Sequence, residues 1–256
     1  MNRFRSIATL LCVVALTACE KNAVQDITGT LPGARVKFFN FGVGAPSVNF
    51  YANNSKVTAV TSATGVESVV GVAFGGVGSG GFYSAIEPGA YSFTGRISAA
   101  VDKDLIISTA AATLADGKAY SYYISGIYNT VDKKADAFVL EDAFVDTLDY
   151  TVAYVRFVNA ISNASPMTLH ARNPTSGVEL PIGGAVAYRS GGAFIAVPGA
   201  VYDLSTRYVG SPTNVISRTA VSFSVGKVYT ISARGDITVT STTLATRPQL
   251  DNTANR

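Results

Sequence analysis

Apolar and polar positions alternate along Ala34-Arg-Val-Lys-Phe-Phe-Asn40, with Val36 and Phe38 on one side and Arg35, Lys37 and Phe39 on the other. A period of two is that of a β-strand with one face turned to a core. The pattern returns at Ala153-Tyr-Val-Arg-Phe-Val-Asn159, shifted by 119 residues. Two further blocks recur in the same order. Pro88-Gly-Ala90 matches Pro198-Gly-Ala200, and Gly117-Lys-Ala-Tyr120 matches Gly226-Lys-Val-Tyr229. The shift falls from 119 to 110 and then to 109, so the first copy carries extra length between Asn54 and Pro88. An insertion that leaves the flanking blocks in order belongs in a surface loop.

Short β-rich runs punctuated by Gly, Pro, Asn and Asp fill the rest of both copies, and no long amphipathic helix pattern appears. This predicts an all-β protein of two tandem Ig-like antiparallel β-sandwiches. The first repeat is expected over residues 34–147 and the second over 151–246, with 130–152 between the copies and Thr147–Tyr150 as a short connection. A polar tail over 247–256 is expected to fray. In this register Phe157 faces the core, where truncation to Ala costs about 3–5 kcal/mol. Arg156 lies on the opposite, solvent side, where truncation costs about 0.5 kcal/mol or less.

The chain opens differently. Arg3 and Arg5 precede an apolar run from Ile7 to Ala15, then Leu16-Thr-Ala-Cys19. The run is shorter than the ~20 apolar residues a spanning helix needs. Charge, apolar run, small residues and cysteine together resemble a bacterial lipoprotein signal. The resemblance implies removal of residues 1–18, acylation of Cys19 and a membrane anchor of several acyl chains. Glu20, in place of the Asp associated with inner-membrane retention, points to the outer membrane. Residues 19–33 then form the lipidated cysteine and a flexible tether that ends in Pro32-Gly33.

Composition removes several functions. Hydrophobic residues make up 48% of the 256 and charged residues 14%, which suits folded cores rather than disorder. Without Arg3 and Arg5, 18 basic side chains stand against 17 acidic ones, and no basic block supports nucleic-acid binding. Cys12 and Cys19 are the two cysteines, so the folded part has neither a disulfide nor a zinc–cysteine cluster.

Candidate chemistry is sparse. Gly76-Val-Gly-Ser-Gly-Gly81, with Asp102 downstream, matches a dinucleotide fingerprint, but strand and turn residues follow where that site needs a helix. His170 is the single histidine, and its counterpart in the first copy is Tyr51. It reads as a strand residue, although a Ser–His–acid set remains formally open. Asp132, Asp136, Glu141, Asp142, Asp146 and Asp149 gather six of the 17 acids, without calcium-loop spacing, and read as solvated linker and edge-strand charge. Arg234-Gly-Asp236 reads as a strand end rather than an adhesion signal. The expected catalytic, cofactor and metal residues are therefore none, and Cys19 is the one expected site, as the point of lipidation.

The opening A-x-V-[KR]-F-x-N resembles the bacterial "domain of unknown function 4397" family. So do the following turns at Gly44-Ala-Pro46 and Asn163-Ala-Ser-Pro166, the P-G-A element and the G-x-x-Y element. The resemblance extends over nearly all of 34–244, twice. It implies secreted or lipid-anchored β-sandwich modules, often in tandem, without an assigned activity or site residues. The expected role is thus a lipid-anchored cell-envelope protein, not an enzyme. It would act by binding an envelope protein or glycan or by building structure, and it would use no cofactor. The alternatives are a carbohydrate-binding accessory protein, marked by an exposed row of Tyr, and an envelope hydrolase, marked by a cleft with facing carboxylates.

Overall fold

The computed structural model describes residues 33–59, 65–67 and 69–255. The signal segment, Cys19 and the tether up to Pro32 lie outside the described residues. Gly33 onward forms one compact unit. The chain folds as an all-β sandwich, in two halves with nine strands each among the described residues. The first half contains β1 (Ala34–Asn40), β2 (Val48–Ala52), β3 (Ser55–Lys56), β4 (Gly76–Val77), β5 (Ser84–Ile86), β6 (Gly89–Ile97), β7 (Ile106–Leu114), β8 (Ala119–Asn129) and β9 (Lys134–Glu141). The second contains β10 (Val152–Asn159), β11 (Met167–Arg172), β12 (Glu179–Val186), β13 (Ser190–Gly191), β14 (Ile195–Pro198), β15 (Ala200–Tyr208), β16 (Ile216–Phe223), β17 (Val228–Arg234) and β18 (Gln249–Ala254).

The halves share one topology. An inner sheet runs β4-β1-β8-β9 in the first and β13-β10-β17-β18 in the second, with β5 and β14 also pairing to the opening strand. An outer sheet runs β3-β2-β6-β7 in the first and β12-β11-β15-β16 in the second. The sheets are mostly antiparallel, as expected, with one exception in each half. β1 pairs parallel with β8, and β10 pairs parallel with β17.

The recurring blocks are the joints of this topology. Gly117 and Gly226 take φ of 70° and 71°, a left-handed conformation that glycine adopts without strain, and so close the turns into β8 and β17. The tyrosine three residues on locks each turn. Ala115 donates its backbone N–H to Tyr120 Oη at 3.0 Å, and Ser224 does the same to Tyr229 at 3.1 Å. The asparagine ending each opening strand ties down the turn beyond it. Asn40 donates to the Val72 carbonyl at 2.9 Å, and Asn159 accepts from the Ile161 N–H at 3.0 Å.

Each half has its own core. Phe38, Phe50, Phe93 and Tyr122 form an aromatic nest in the first, where Phe38 and Phe50 stack at 5.2 Å. Phe157, Leu169, Leu204 and Ile231 lie in the core of the second. Val155 and Phe157 are fully buried, as the alternation predicts.

The other face of the opening strands departs from the expectation. Lys37 is 1% exposed and Arg156 3%. The two inner sheets press their outer faces together, so β1 and β10 are buried on both sides. Phe39, Phe41, Tyr123 and Phe138 from the first half pack on Val158 and Ala160 from the second. Phe39 stacks on Tyr123 at 4.5 Å, and Tyr123 on Phe138 at 4.9 Å. At Gly191 a Cβ would lie 3.1 Å from Leu140 Cδ1, so a glycine there lets the sheets approach.

The tail also departs from the expectation. β18 pairs with β17 at six positions from Tyr229–Ala254 to Arg234–Gln249, so the second half continues past 246. Leu250 is buried in the second core, and Arg218 donates to its carbonyl at 2.7 Å. The polar residues of this stretch alternate around that one apolar side chain, too weak a pattern to mark a strand in the sequence.

Two measurements check this arrangement. Phe157→Ala should lower stability by about 3–5 kcal/mol in a denaturant melt, since it opens a cavity in a full core. A chain ending at Thr246 should lose its cooperative thermal transition or melt far below the full chain, whereas a frayed tail would leave the melt unchanged.

Candidate functional site

The densest buried polar cluster among the described residues sits where the two inner sheets meet, and it is built twice. On one side Arg156 of β10 crosses to the end of β9. Its guanidinium donates to the Glu141 carbonyl at 3.0 Å and to Asp142 Oδ1 in a close ion pair, while its Nε donates to Thr230 Oγ1 at 3.0 Å. The side chain of Asp142 is 0% exposed, and its other oxygen accepts from Ser121 at 2.8 Å and from Tyr83 at 2.6 Å. On the other side Lys37 of β1 crosses to the end of β18. Its Nζ donates to the Ala254 carbonyl at 3.0 Å and to Asn255 Oδ1 at 3.1 Å. Asn255 in turn donates to Thr230 Oγ1 at 2.7 Å.

These contacts correspond position by position. Lys37 and Arg156 hold the same place in their strands, as do Glu141 and Ala254, Asp142 and Asn255, and Ser121 and Thr230. An aromatic ring covers each cation. Tyr83 lies 4.4 Å from Lys37 Nζ, and Phe194 lies 4.9 Å from the Arg156 guanidinium. The cluster thus obeys a two-fold relation between the halves that the side chains themselves only partly keep.

Burial and proximity shift the titrations here. Burial pushes the Lys37 amine down to about 8; Asp142 counters this and Arg156 adds to it. Burial raises the Tyr83 phenol, and the neighbouring Asp142 raises it further. For Arg156 burial is the largest influence and opposes the charge, but Asp142, Tyr123 and Tyr83 together outweigh it and the net shift is upward. Tyr123, buried beside them, is pushed up to about 12.

The residues singled out from the sequence do not converge on a site. The Gly76–Gly81 loop leaves β4 as a short 3-10 turn with left-handed Ser79 and Gly80, and then leads to β5 instead of a helix. Its φ values of 51° and 65° turn the backbone away from a helical N-terminus. Asp102 pairs with Lys133 at 2.6 Å across two hairpin tips. His170 lies on the outer sheet, 3.4 Å from Glu179, and its pKa is lowered by burial and by Arg207. Arg234 pairs with Asp251 and stacks between Phe41 and Phe74, while Asp236 accepts from Asn163 at 2.8 Å. That tripeptide is therefore split between interface and turn.

The acidic run also divides. Asp132 accepts from Asn129, Asp136 from Arg189 and Tyr188, and Asp149 from Thr151. Glu141 lies 3.4 Å from Lys118, an exposed pair. Among the described residues no three His, Cys, Asp or Glu side chains gather as metal ligands. Asp142 was grouped with solvated charge and is instead the most buried acid of the run. One signal could have found it. A cation recurs at the same place in both opening strands, between apolar neighbours Val36 and Phe38 in one and Val155 and Phe157 in the other, and a buried cation needs an acid or carbonyl opposite.

This cation is also the [KR] position of the A-x-V-[KR]-F-x-N pattern. A model of a family described as a domain of unknown function, DUF4397, matches residues 34–170. The chain belongs to this family. The match covers the whole first half and continues through β10 into β11. No curated protein matches the chain.

The DUF4397 pattern therefore maps onto joints and interface in this chain. Val36 and Phe38 face the core, Asn40 ties the turn, and Lys37 crosses to the other half.

Arg156→Ala should cost about 3–5 kcal/mol, since it leaves Asp142 buried without its cation, in contrast to the small cost expected for a solvent-facing residue. Adding Asp142→Leu to Arg156→Met should recover part of the loss. Denaturant melts of the two single variants and the double variant measure that coupling. Melting temperature should agree within about a degree in excess Ca²⁺ and in chelator, because ligand binding to the native state alone would raise it.

Proposed function

We propose that this chain is a lipid-anchored protein of the cell envelope, held in the outer membrane through Cys19, whose second half is a second copy of the same family module. Its role is to bind an envelope protein or glycan, or to build structure, without catalysis. The observation that carries the anchoring is the Leu16-Thr-Ala-Cys19 sequence behind Arg3, Arg5 and a short apolar run.

The geometry supports a display role. The described chain enters at Gly33, which is held by Asp116 and Gly117 at the turn between β7 and β8. The hairpin tips carrying Val101 and Val131 lie at the opposite ends of the strands, with Val101 78% and Val131 88% exposed. These tips thus stand at the end of the first half opposite Gly33. The charged groups buried in the interface, Lys37, Arg156 and Asp142, are engaged with partners there, which suits joining two modules better than turning over a substrate.

Neither alternative gains support. Of the 13 tyrosines, all described, Tyr150 is the one that is exposed, so no row of aromatic rings is available to stack on sugar. The acids are spread over separate partners, as described above, and do not face one another across a cleft.

Cys19→Ser should abolish incorporation of a fatty-acid analogue and leave the signal segment uncut. Label retained on that variant would refute the anchor. A pull-down from detergent-solubilised envelope, with the Val101→Asp/Val131→Asp variant as control, tests the display role. Loss of a captured partner in the variant is expected.

A further inference from the structure

The two equivalent contacts at the interface differ in kind. Arg156 meets Asp142, a cation on a carboxylate with no bond open to it. Lys37 meets Asn255, an amine on a carboxamide. Lys37 Nζ stands 3.1 Å from Asn255 Oδ1, so Cγ is within about 4.3 Å of the amine once a C=O bond of about 1.23 Å is added. Neither group is free to wander. Lys37 is also tied to the Ala254 carbonyl, Tyr83 covers its Nζ, and Asn255 is fixed by its backbone N–H to Val228 at 2.8 Å and by Nδ2 to Thr230. Lys37 is buried, Asn255 is half-buried, and both sit on paired backbone, close to the separation from which a held nucleophile reacts.

We propose that Lys37 and Asn255 condense into an isopeptide bond that joins the opening strand of the first half to the residue following the last strand of the second. The Nζ lone pair attacks Cγ, the new C–N bond forms, the old Cγ–Nδ2 bond breaks, and ammonia leaves. One proton passes from the attacking nitrogen to the departing one, so a neutral amine and a carboxamide give an amide and ammonia without an oxidant, a reductant or a cofactor.

The surroundings favour each part of this exchange. The nucleophile must be the free amine, and burial with Arg156 nearby keeps a useful fraction of Lys37 uncharged near neutral pH. The Thr230 hydroxyl accepts from both Arg156 Nε and Asn255 Nδ2 and so holds the carboxamide in one orientation, while Oδ1, where negative charge develops, accepts from Lys37 Nζ itself. It also marks the side from which ammonia departs. At the equivalent place the guanidinium of Arg156, with its far higher pKa, has no free amine to offer, so the halves are joined by one covalent contact and one ionic one.

Tryptic digestion of the full chain and tandem mass spectrometry decide the matter. A branched peptide is expected, uncut at Lys37, carrying the peptide that contains Asn255, and lighter than the two together by one ammonia. Lys37→Arg and Asn255→Ala should each abolish it. In freshly unfolded and refolded protein its yield should rise with pH through about 8, as the amine loses its proton, and level off above. Complete cleavage at Lys37 with an unmodified Asn255 peptide, after prolonged incubation a unit above that pKa, would overturn the proposal. So would deamidation of Asn255 without a branch, or a branch from Lys37 to any other residue.

Discussion

The structure depends on two cations being taken out of water in the middle of a sheet-to-sheet contact. Lys37 and Arg156 stand on the opening strands of their halves, and each reaches a carbonyl and a side-chain oxygen on the other half. Desolvating such groups costs several kcal/mol per ion, which only a well-placed partner offsets. A slide of either inner sheet by one pleat would leave Asp142 facing no cation and Arg156 facing no acid. The polar cluster therefore fixes the alignment of the halves, while the aromatic contact around it supplies most of the attraction.

That contact is complementary rather than symmetric. The first half offers Phe39, Phe41, Tyr123 and Phe138, and the second answers with Val158, Ala160, Ser232 and Asp251 at the matching positions. Two aromatic faces would overfill the space between sheets, and two small ones would leave it empty. Each half is thus shaped for the other and against a second copy of itself.

Much of the fold was legible in the chain. Strand alternation placed Val155 and Phe157 in the core, and the recurring glycines, prolines and tyrosines marked the joints, because turn chemistry is local and repeats with the module. What stayed hidden was whatever depended on the partner sheet. Alternation shows that Lys37 and Arg156 face away from their own core, and a cation on that second face masks the apolar Phe39 and Val158 beside it, the one mark of a strand covered on both sides. Asp142 could not be told from its five acidic neighbours, since the difference lies in a cation 14 residues away in sequence and one sheet away in space. β18 was hidden for a third reason. An edge strand with one buried leucine carries too little hydrophobic pattern to outweigh its Asn, Asp and Thr.

The partners of Lys37 stand 217 and 218 residues downstream of it. A chain that emerges with its N-terminus first, from a ribosome or through a pore, exposes β1 long before anything exists to cover its second face. Until β10, β17 and finally β18 arrive, the aromatic face of β1 and β8 has nothing from the second half to cover it. That interval is a window of stickiness set by topology rather than by local preference. It leaves the arrival of β18 to govern when this face becomes safe from aggregation.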